Sequence, residues 1–556
     1  MKLRSLALAS ALILGACDKA ANTARATPPI FSPQIERDAY GIPHIHGRTD
    51  AEAAYGLAIA HAEDDFKTIQ EVALASRGRL GRLTGREGAK IDYFYHVMRV
   101  QEALAAHYEK DLAAKTRALI EAYAAGLNAY GAKHPEEILK GAQNLTGEDV
   151  AAGFVLRAPL FWGLDALMGK LVDEHSHPCL ARSRALAVPE RGSNAFAVSP
   201  LRSADGHTRL IVNSHQPWEG PVAWYEAHVK SDEGWAMSGG LFPGSPFPVV
   251  GHNDFLGWAA TVNHPDLADL YRLKTDDQHN GQYFFDGAWR DFEIKHIWLK
   301  VKFGPFTLPV PKTLRFTVHG PAFKTADGWL ALRYAGDRDV KSVEEFYRMT
   351  RARSLEEWLS ALEMRSIASF NFVYGDAKGH IGFVYNDAAP QRAAGFDWAA
   401  CVPGDTSATL APGLVPTTQI PRLINPPSGW LYSSNGTPFS ATDPVSDLDP
   451  TKYSRDLGLE MHLTNRGYRA VELLSHLPKI SEQQLLNAKF DLSYSHRSEM
   501  QRILNDVAKL DGSHDADLAA AQALLKNWDL RTNGDSRAAA LALLTFGPFW
   551  RADHFQ

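Results

Sequence analysis

Gly192-Ser193-Asn194 opens a short apolar run, Ala195-Phe196-Ala197-Val198, that reads as a strand. A serine hydroxyl is a weak nucleophile unless a base stands beside it. If the peptide bond between Gly192 and Ser193 is broken, Ser193 gains an α-amino group next to its own hydroxyl. Such an amine, with a reference pKa of about 7.7–8.0, takes up a proton near neutral pH. One residue then holds both nucleophile and base. The same three residues also suit a plain turn leading into a strand. Other chemistries lack their signatures, since the chain has no Cys-x-x-Cys pair, no His-Glu-x-x-His, no P-loop and no Gly-x-Ser-x-Gly.

Further stretches decide between the two readings of Ser193. Upstream lies Tyr40-Gly41-Ile42-Pro43-His44, and downstream come Asn213-Ser214-His215-Gln216-Pro217-Trp218, Trp258-Ala259-Ala260-Thr261-Val262, His319-Gly320-Pro321 and Asn371-Phe372-Val373-Tyr374-Gly375-Asp376. In their order and spacing they resemble the penicillin acylase family of N-terminal-nucleophile hydrolases, over nearly everything after residue 35. The resemblance implies self-cleavage at Gly192–Ser193, an α+β fold built as a four-layer αββα sandwich with helical flanking regions, and hydrolysis of a linear amide through an acyl-enzyme.

Carried over residue by residue, the resemblance makes Ser193 the nucleophile and sets His215 beside it. It assigns the backbone N–H of Val262 and the side-chain amide of Asn371 to the oxyanion, and has Arg392 orient the site. Asn suits the oxyanion because it donates without titrating. Asp266 and Asp269 stand where relatives bind a structural calcium ion through carboxylate oxygens. No organic cofactor is implied. His319 is left outside the catalytic set. Gln216 departs from the family pattern, because an aromatic residue usually lines the acyl pocket there. His215 resembles the acyl-homoserine-lactone acylases more than penicillin G acylase, so the substrate expected is an N-acyl homoserine lactone, a penicillin-like amide or a related acyl amide. A catalytically silent binding module on the same fold is the alternative.

The elements that must position these residues follow the hydrophobic periodicity. Ala51 to Gly81, Val100 to Lys133 and Leu156 to Val172 carry apolar residues at helical spacing. Asp173 to Gly192 is polar and broken by Pro, and its His175-Ser176-His177-Pro178-Cys179 cluster reads as an exposed loop. After Ser193 the texture turns to alternation, with strands expected at 208–213, 224–230, 283–289, 295–303 and 313–318, and helices again at 343–364 and 480–528. The division expected is a leader at 1–17, a stalk at 18–34, a mostly helical small subunit at 35–172, a spacer at 173–192 and a large subunit at 193–556, the two subunits forming a heterodimer.

Composition sets the outer limits. The chain has 556 residues, 45% hydrophobic and 22% charged, with a formal net charge of −6 that argues against nucleic acid. Met1-Lys2-Leu3-Arg4 and the apolar Leu6 to Leu14 read as a signal peptide, and Leu14-Gly15-Ala16-Cys17 resembles a bacterial lipobox. Lipidation of Cys17 would tether the protein to the membrane of the Gram-negative envelope, facing the periplasm. The remaining cysteines, Cys179 and Cys401, have no local pattern that brings them together. The chain stops at Gln556, where the family normally continues. It is either naturally short or a fragment of a longer large subunit.

Overall fold

The computed structural model describes residues 31–181 and 192–551. The nucleophile strand, Ser193–Val198, shows why the layers stack as they do. Alternate side chains of a strand point to opposite faces. Ala195 and Ala197 face one cluster with Ala259, Val373, Phe383 and Tyr385, whereas Phe196 and Val198 face another with Trp430, Tyr432, Leu474 and Leu485. The small alanines let a second sheet approach on one side. The large side chains receive helices on the other.

This strand is the middle of a three-stranded antiparallel sheet, between Trp430–Ser433 and Arg209–Ser214. Against it packs a nine-stranded sheet that includes Leu256–Thr261, Ser369–Asp376 and Ile381–Asp387. The three-stranded sheet is covered on its outer face by helices Asn465–Leu474 and Glu482–Lys489. The nine-stranded sheet is covered by the long Ala-rich helix Asp50–Ser76, backed by Ala114–Lys133 and Gly147–Arg157. Helix, sheet, sheet, helix is the expected four-layer α+β sandwich. A six-stranded sheet, which includes the long hairpin Glu293–Phe303 with Phe306–Thr317, flanks it.

The nine-stranded sheet does not respect the Gly192–Ser193 boundary. Its first two strands, Gln34–Arg37 and Pro43–Gly47, precede that bond, and Pro43–Gly47 pairs in parallel with Tyr225–Ser231 beyond it. Two adjacent strands in this sheet approach closely at Gly239 and Gly251, where φ is +153° and +136° and an added Cβ would lie 2.0 Å from the facing carbonyl. Only glycine suits both the conformation and the contact.

Several expected boundaries shift. The helical run from Val100 to Lys133 breaks into Val100–Asp111 and Ala114–Lys133, because Leu112 turns extended into the core and the Ala113 N–H donates to Glu344 instead of to a helix carbonyl. The expected strand 283–289 is a hairpin of Gln282–Phe285 and Ala288–Asp291, turning at Asp286-Gly287 with both φ values positive. The segment 343–364 splits into Ser342–Arg351 and Leu355–Leu362, the second capped by Ser354. The segment 480–528 likewise holds three helices. In the expected spacer loop, His177 and the Cys179 N–H both bond Asp327, and Cys179 forms a disulfide with Cys401, 222 residues away. Cys17 and the leader lie outside the described residues.

Candidate active site

Ser193 is buried at the start of its strand, directly opposite Ser214. The strand pairing places His215 one residue past that partner, and its backbone N–H donates to the Gly192 carbonyl at 2.9 Å. The Ser193 N–H donates to Oδ1 of Asn435 at 2.5 Å. Arg466 reaches in from the helix Asn465–Leu474 and donates to the Ser193 carbonyl (2.5 Å), to Oδ1 of Asn194 (2.6 Å) and to Oδ1 of Asn435 (2.9 Å). A Cβ on residue 192 would fall 2.1 Å from the Arg466 Nη2. Glycine before the serine leaves the Arg466 guanidinium its place in this cage.

Asn435 ties this cage to the neighbouring sheet. Its Nδ2 donates to the Val262 carbonyl at 2.7 Å, just past the end of Leu256–Thr261, and the Thr261 hydroxyl is 2.7 Å from that of Ser433. Asn435 sits in a Ser433-Ser434-Asn435-Gly436 turn with φ of +61°, a conformation asparagine tolerates better than most residues. Asn371 lies across from Thr261 in the strand register. Its side chain is fully buried, and neither its Oδ1 nor its Nδ2 has a partner among the described residues. An unpaired buried amide costs about 1–3 kcal/mol, and this one faces the residue just before Val262 in the strand register.

Burial lowers the affinity of the His215 imidazole for a proton, and the nearby Arg466 charge lowers it further. Burial likewise draws the Arg466 guanidinium down to about 10, where it remains cationic at neutral pH. His215 meets Gly192 through its backbone rather than through its ring.

Arg392 sits apart from this cage. Its guanidinium pairs with Asp266 at 3.1 Å and Asp269 at 3.0 Å, and it also donates to the carbonyls of Asp266 and Asp456. Burial opposes its charge, but the two aspartates prevail and hold it above its ordinary range. The calcium expectation needs correction at this point. A divalent cation on Asp266 and Asp269 would lie against a buried guanidinium already bound to both, so as arranged they do not fit the ion. His319, left out of the catalytic set, belongs to the flanking sheet, stacked on Tyr271 and 3.0 Å from the Gly404 carbonyl.

A cavity of about 60 Å³ opens beside the serine. Phe154, Phe161, Trp224, Phe242, Val250 and Phe346 make its wall largely apolar, and Gln216 lines it as the family comparison led one to expect. Arg157 and Ser342 line it too. Asn435 and Arg466 escaped the reading of the sequence. They lie 242 and 273 residues after Ser193, and the one local signal was the polar turn that precedes a helix.

A model of the penicillin amidase family matches residues 33–552. An acyl-homoserine lactone acylase, PvdQ of Pseudomonas fluorescens strain Pf-5, is 25% identical over 91% of this chain and 71% of its own length. The acyl-homoserine lactone acylase QuiP of the same strain is 25% identical over 89% of this chain and 67% of its own. Among solved structures, the thermostable penicillin G acylase from Alcaligenes faecalis, in its orthorhombic form, aligns with a TM-score of 0.51 and 26% identity. That alignment covers 62% of this chain and 60% of the acylase chain.

Proposed function

The chain belongs to the penicillin amidase family of amidohydrolases, and on that premise we propose that Ser193 is the nucleophile of a linear-amide hydrolase that matures by cutting its own chain at Gly192–Ser193. The observation that carries this reading is the polar cage on that one peptide bond: His215 N–H on the Gly192 carbonyl, Asn435 on the Ser193 nitrogen and Arg466 on the Ser193 carbonyl. A plain turn needs no such cage.

In maturation the Ser193 Oγ attacks the Gly192 carbonyl carbon while the His215 N–H supports the growing negative charge on oxygen. The C–N bond breaks as the ester C–O bond forms, with the hydroxyl proton passing to the nitrogen. Water then hydrolyses the ester, releasing a Gly192 carboxylate and a free Ser193 α-amine. The products are a small chain ending in the 173–192 spacer and a large chain beginning at Ser193, held as a heterodimer.

In turnover the α-amine takes the Oγ proton as the oxygen attacks the substrate carbonyl. Asn435 accepts from this amine and orients it, and the Arg466 charge disfavours its ammonium form. The oxyanion meets the Val262 N–H and the Asn371 side-chain amide. The proton moves on to the departing nitrogen, the amine leaves, and water repeats the sequence on the acyl-enzyme. Arg392 is a positioning residue that braces the loop following Val262 through Asp266 and Asp269. The substrates in keeping with the relatives are N-acyl homoserine lactones and penicillin-type amides, with the acyl group in the apolar cavity. A disulfide suits an oxidising compartment, in line with a periplasmic enzyme tethered through Cys17.

Ser193→Ala tests the assignment. The variant is expected to remain a single chain on a reducing gel and to show no amidase activity, while wild type gives a large chain whose first residue is Ser193. Maturation of the variant at the same bond would refute autoprocessing by this hydroxyl.

A further inference from the structure

The long hairpin of Glu293–Phe303 and Phe306–Thr317 runs out of the sheet that carries it. Its first strand is the edge of that six-stranded sheet, and its second pairs with the next strand only at Arg315, Phe316 and Thr317. On the inner face Ile297, Leu299 and Val301 are buried in the core, where the helices Gly81–Thr84 and Arg86–Val97 pack on the strand. Gly81 and Gly85 lie against the carbonyls of Lys300 and Lys302, and an added Cβ would fall 2.8 and 3.1 Å from them. Alternation along the strands carries the same row on to Phe303, opposite Phe306 in the register, and to Leu308, opposite Val301. There the row emerges into solvent, with Phe303 51% and Phe306 69% exposed. Between the two rings Gly304, at φ +56°, takes the first place of a two-residue turn with Pro305. The opposite face carries the exposed Trp298 with Lys300 and Lys302, which face Pro311, Pro309 and Thr307 across the ladder.

The charge around this tip has one sign. From Ile294 to Ala326 the sequence has six Lys and Arg and neither Asp nor Glu, in a chain of net charge −6. Lys295 pairs with Glu102, whereas Lys300, Lys302 and Lys312 have no carboxylate partner among the described residues. Arg82 and Arg86, which follow the two glycines under the strand, are exposed and extend the patch, and the neighbouring Glu87 is paired with Lys90. Lysines on an edge strand guard it against pairing with a foreign strand. That role explains neither the two phenylalanines at the turn nor the arginines on the helix side. An apolar tip ringed by cations is complementary to a bilayer with anionic headgroups, where aromatic side chains enter the interface and Lys and Arg meet the phosphates.

We infer that the tip of this hairpin is a membrane-contact surface, Phe303 and Phe306 entering the interface of an anionic bilayer while Lys300, Lys302, Lys312, Arg82 and Arg86 lie at the lipid phosphates. This surface requires neither the amidase reading of Ser193 nor a tether at Cys17.

The test uses the full chain carrying Cys17→Ser, which cannot be lipidated, with vesicles of phosphatidylcholine alone or mixed equally with phosphatidylglycerol. Sedimentation with the mixed vesicles is expected to exceed that with the neutral ones ~tenfold and to fall as salt is raised. Adding Phe303→Ser and Phe306→Ser together is expected to abolish most of this binding, and adding Lys300→Gln and Lys302→Gln instead is expected to weaken it and flatten its salt dependence. Both phenylalanines are exposed, so Tm is expected to stay at the parent's value, and all the proteins share one leader, so the differences between them isolate the tip. If the serine pair lowers Tm, the glutamine pair and the salt series decide. Equal sedimentation of parent and a stable serine variant, unchanged binding of the glutamine variant, or equal binding of the parent to neutral and anionic vesicles overturns the inference. A parent that ignores vesicles but forms a dimer dispersed by the serine pair assigns the tip to a second copy of the chain, and overturns it as well.

Discussion

An amide side chain that makes neither of its hydrogen bonds is a poor choice for a protein core, and among the described residues Asn371, the third residue of its strand, is such a side chain. Leucine would fill similar volume without stranding a donor and an acceptor. The amide is understandable if its Nδ2 is satisfied only when an oxyanion forms. Asn371→Ala is therefore expected to lose on the order of 10²–10³ in kcat with maturation and Tm close to wild type, since the removed group made no bond in the resting protein. Steady-state kinetics and thermal melting of the same preparation check this. Turnover near wild type would exclude Asn371 from the oxyanion site, and a collapse of Tm would mean that the amide has a structural partner.

At the level of elements, the strands Ser369–Asp376 and Ile381–Asp387 hold Asn371 opposite Tyr385, and the Tyr385 hydroxyl donates to Glu460, which also accepts from the His264 N–H at 3.2 Å. Burial pushes the Glu460 carboxyl up to about 7. The unfolded chain releases this proton near pH 4.5, so between about 4.5 and 7 the folded state binds more protons and stability falls as pH rises. The loss is on the order of 3 kcal/mol at most, at 1.36 kcal/mol per pH unit. Glu460→Gln keeps an acceptor for both donors and cannot ionise. Its Tm is expected to change less than that of wild type between pH 5 and pH 8; parallel curves for the two proteins would show that Glu460 does not titrate in this window. Strand and helix placement here was largely legible in the sequence, because Ala195-Phe196-Ala197-Val198 alternates in size and the Ala-rich helix Asp50–Ser76 has its periodicity. The breaks were not. Leu112 and Ala113 leave a helical pattern because of Glu344, 231 residues after Ala113, and no local preference encodes that. The same applies to the site. Ser193, Val262 and Asn371 belong to local motifs, whereas Asn435 and Arg466 matter only through a fold that brings them to Ser193, and the Asp266–Arg392–Asp269 cluster reads as a metal site until the guanidinium is seen between the carboxylates.

The whole molecule is organised so that the proposed cut changes little in space. Strands from both sides of Gly192–Ser193 share one sheet, and the helices before the cut cover strands that follow it. The Cys179–Cys401 disulfide adds a covalent link across the same boundary. The matured protein is therefore expected to run as one band on a denaturing gel without reductant and as two bands with it. Two bands without reductant would mean that this bond does not form in the mature protein. In the precursor the disulfide closes the backbone between its two cysteines into a ring, and Gly192–Ser193 is one of the bonds in that ring. Breaking one bond of a ring opens it without yielding a second molecule. The proposed maturation would then free an amine without creating a dissociation equilibrium, and the enzyme could be diluted without limit while both of its halves stay together.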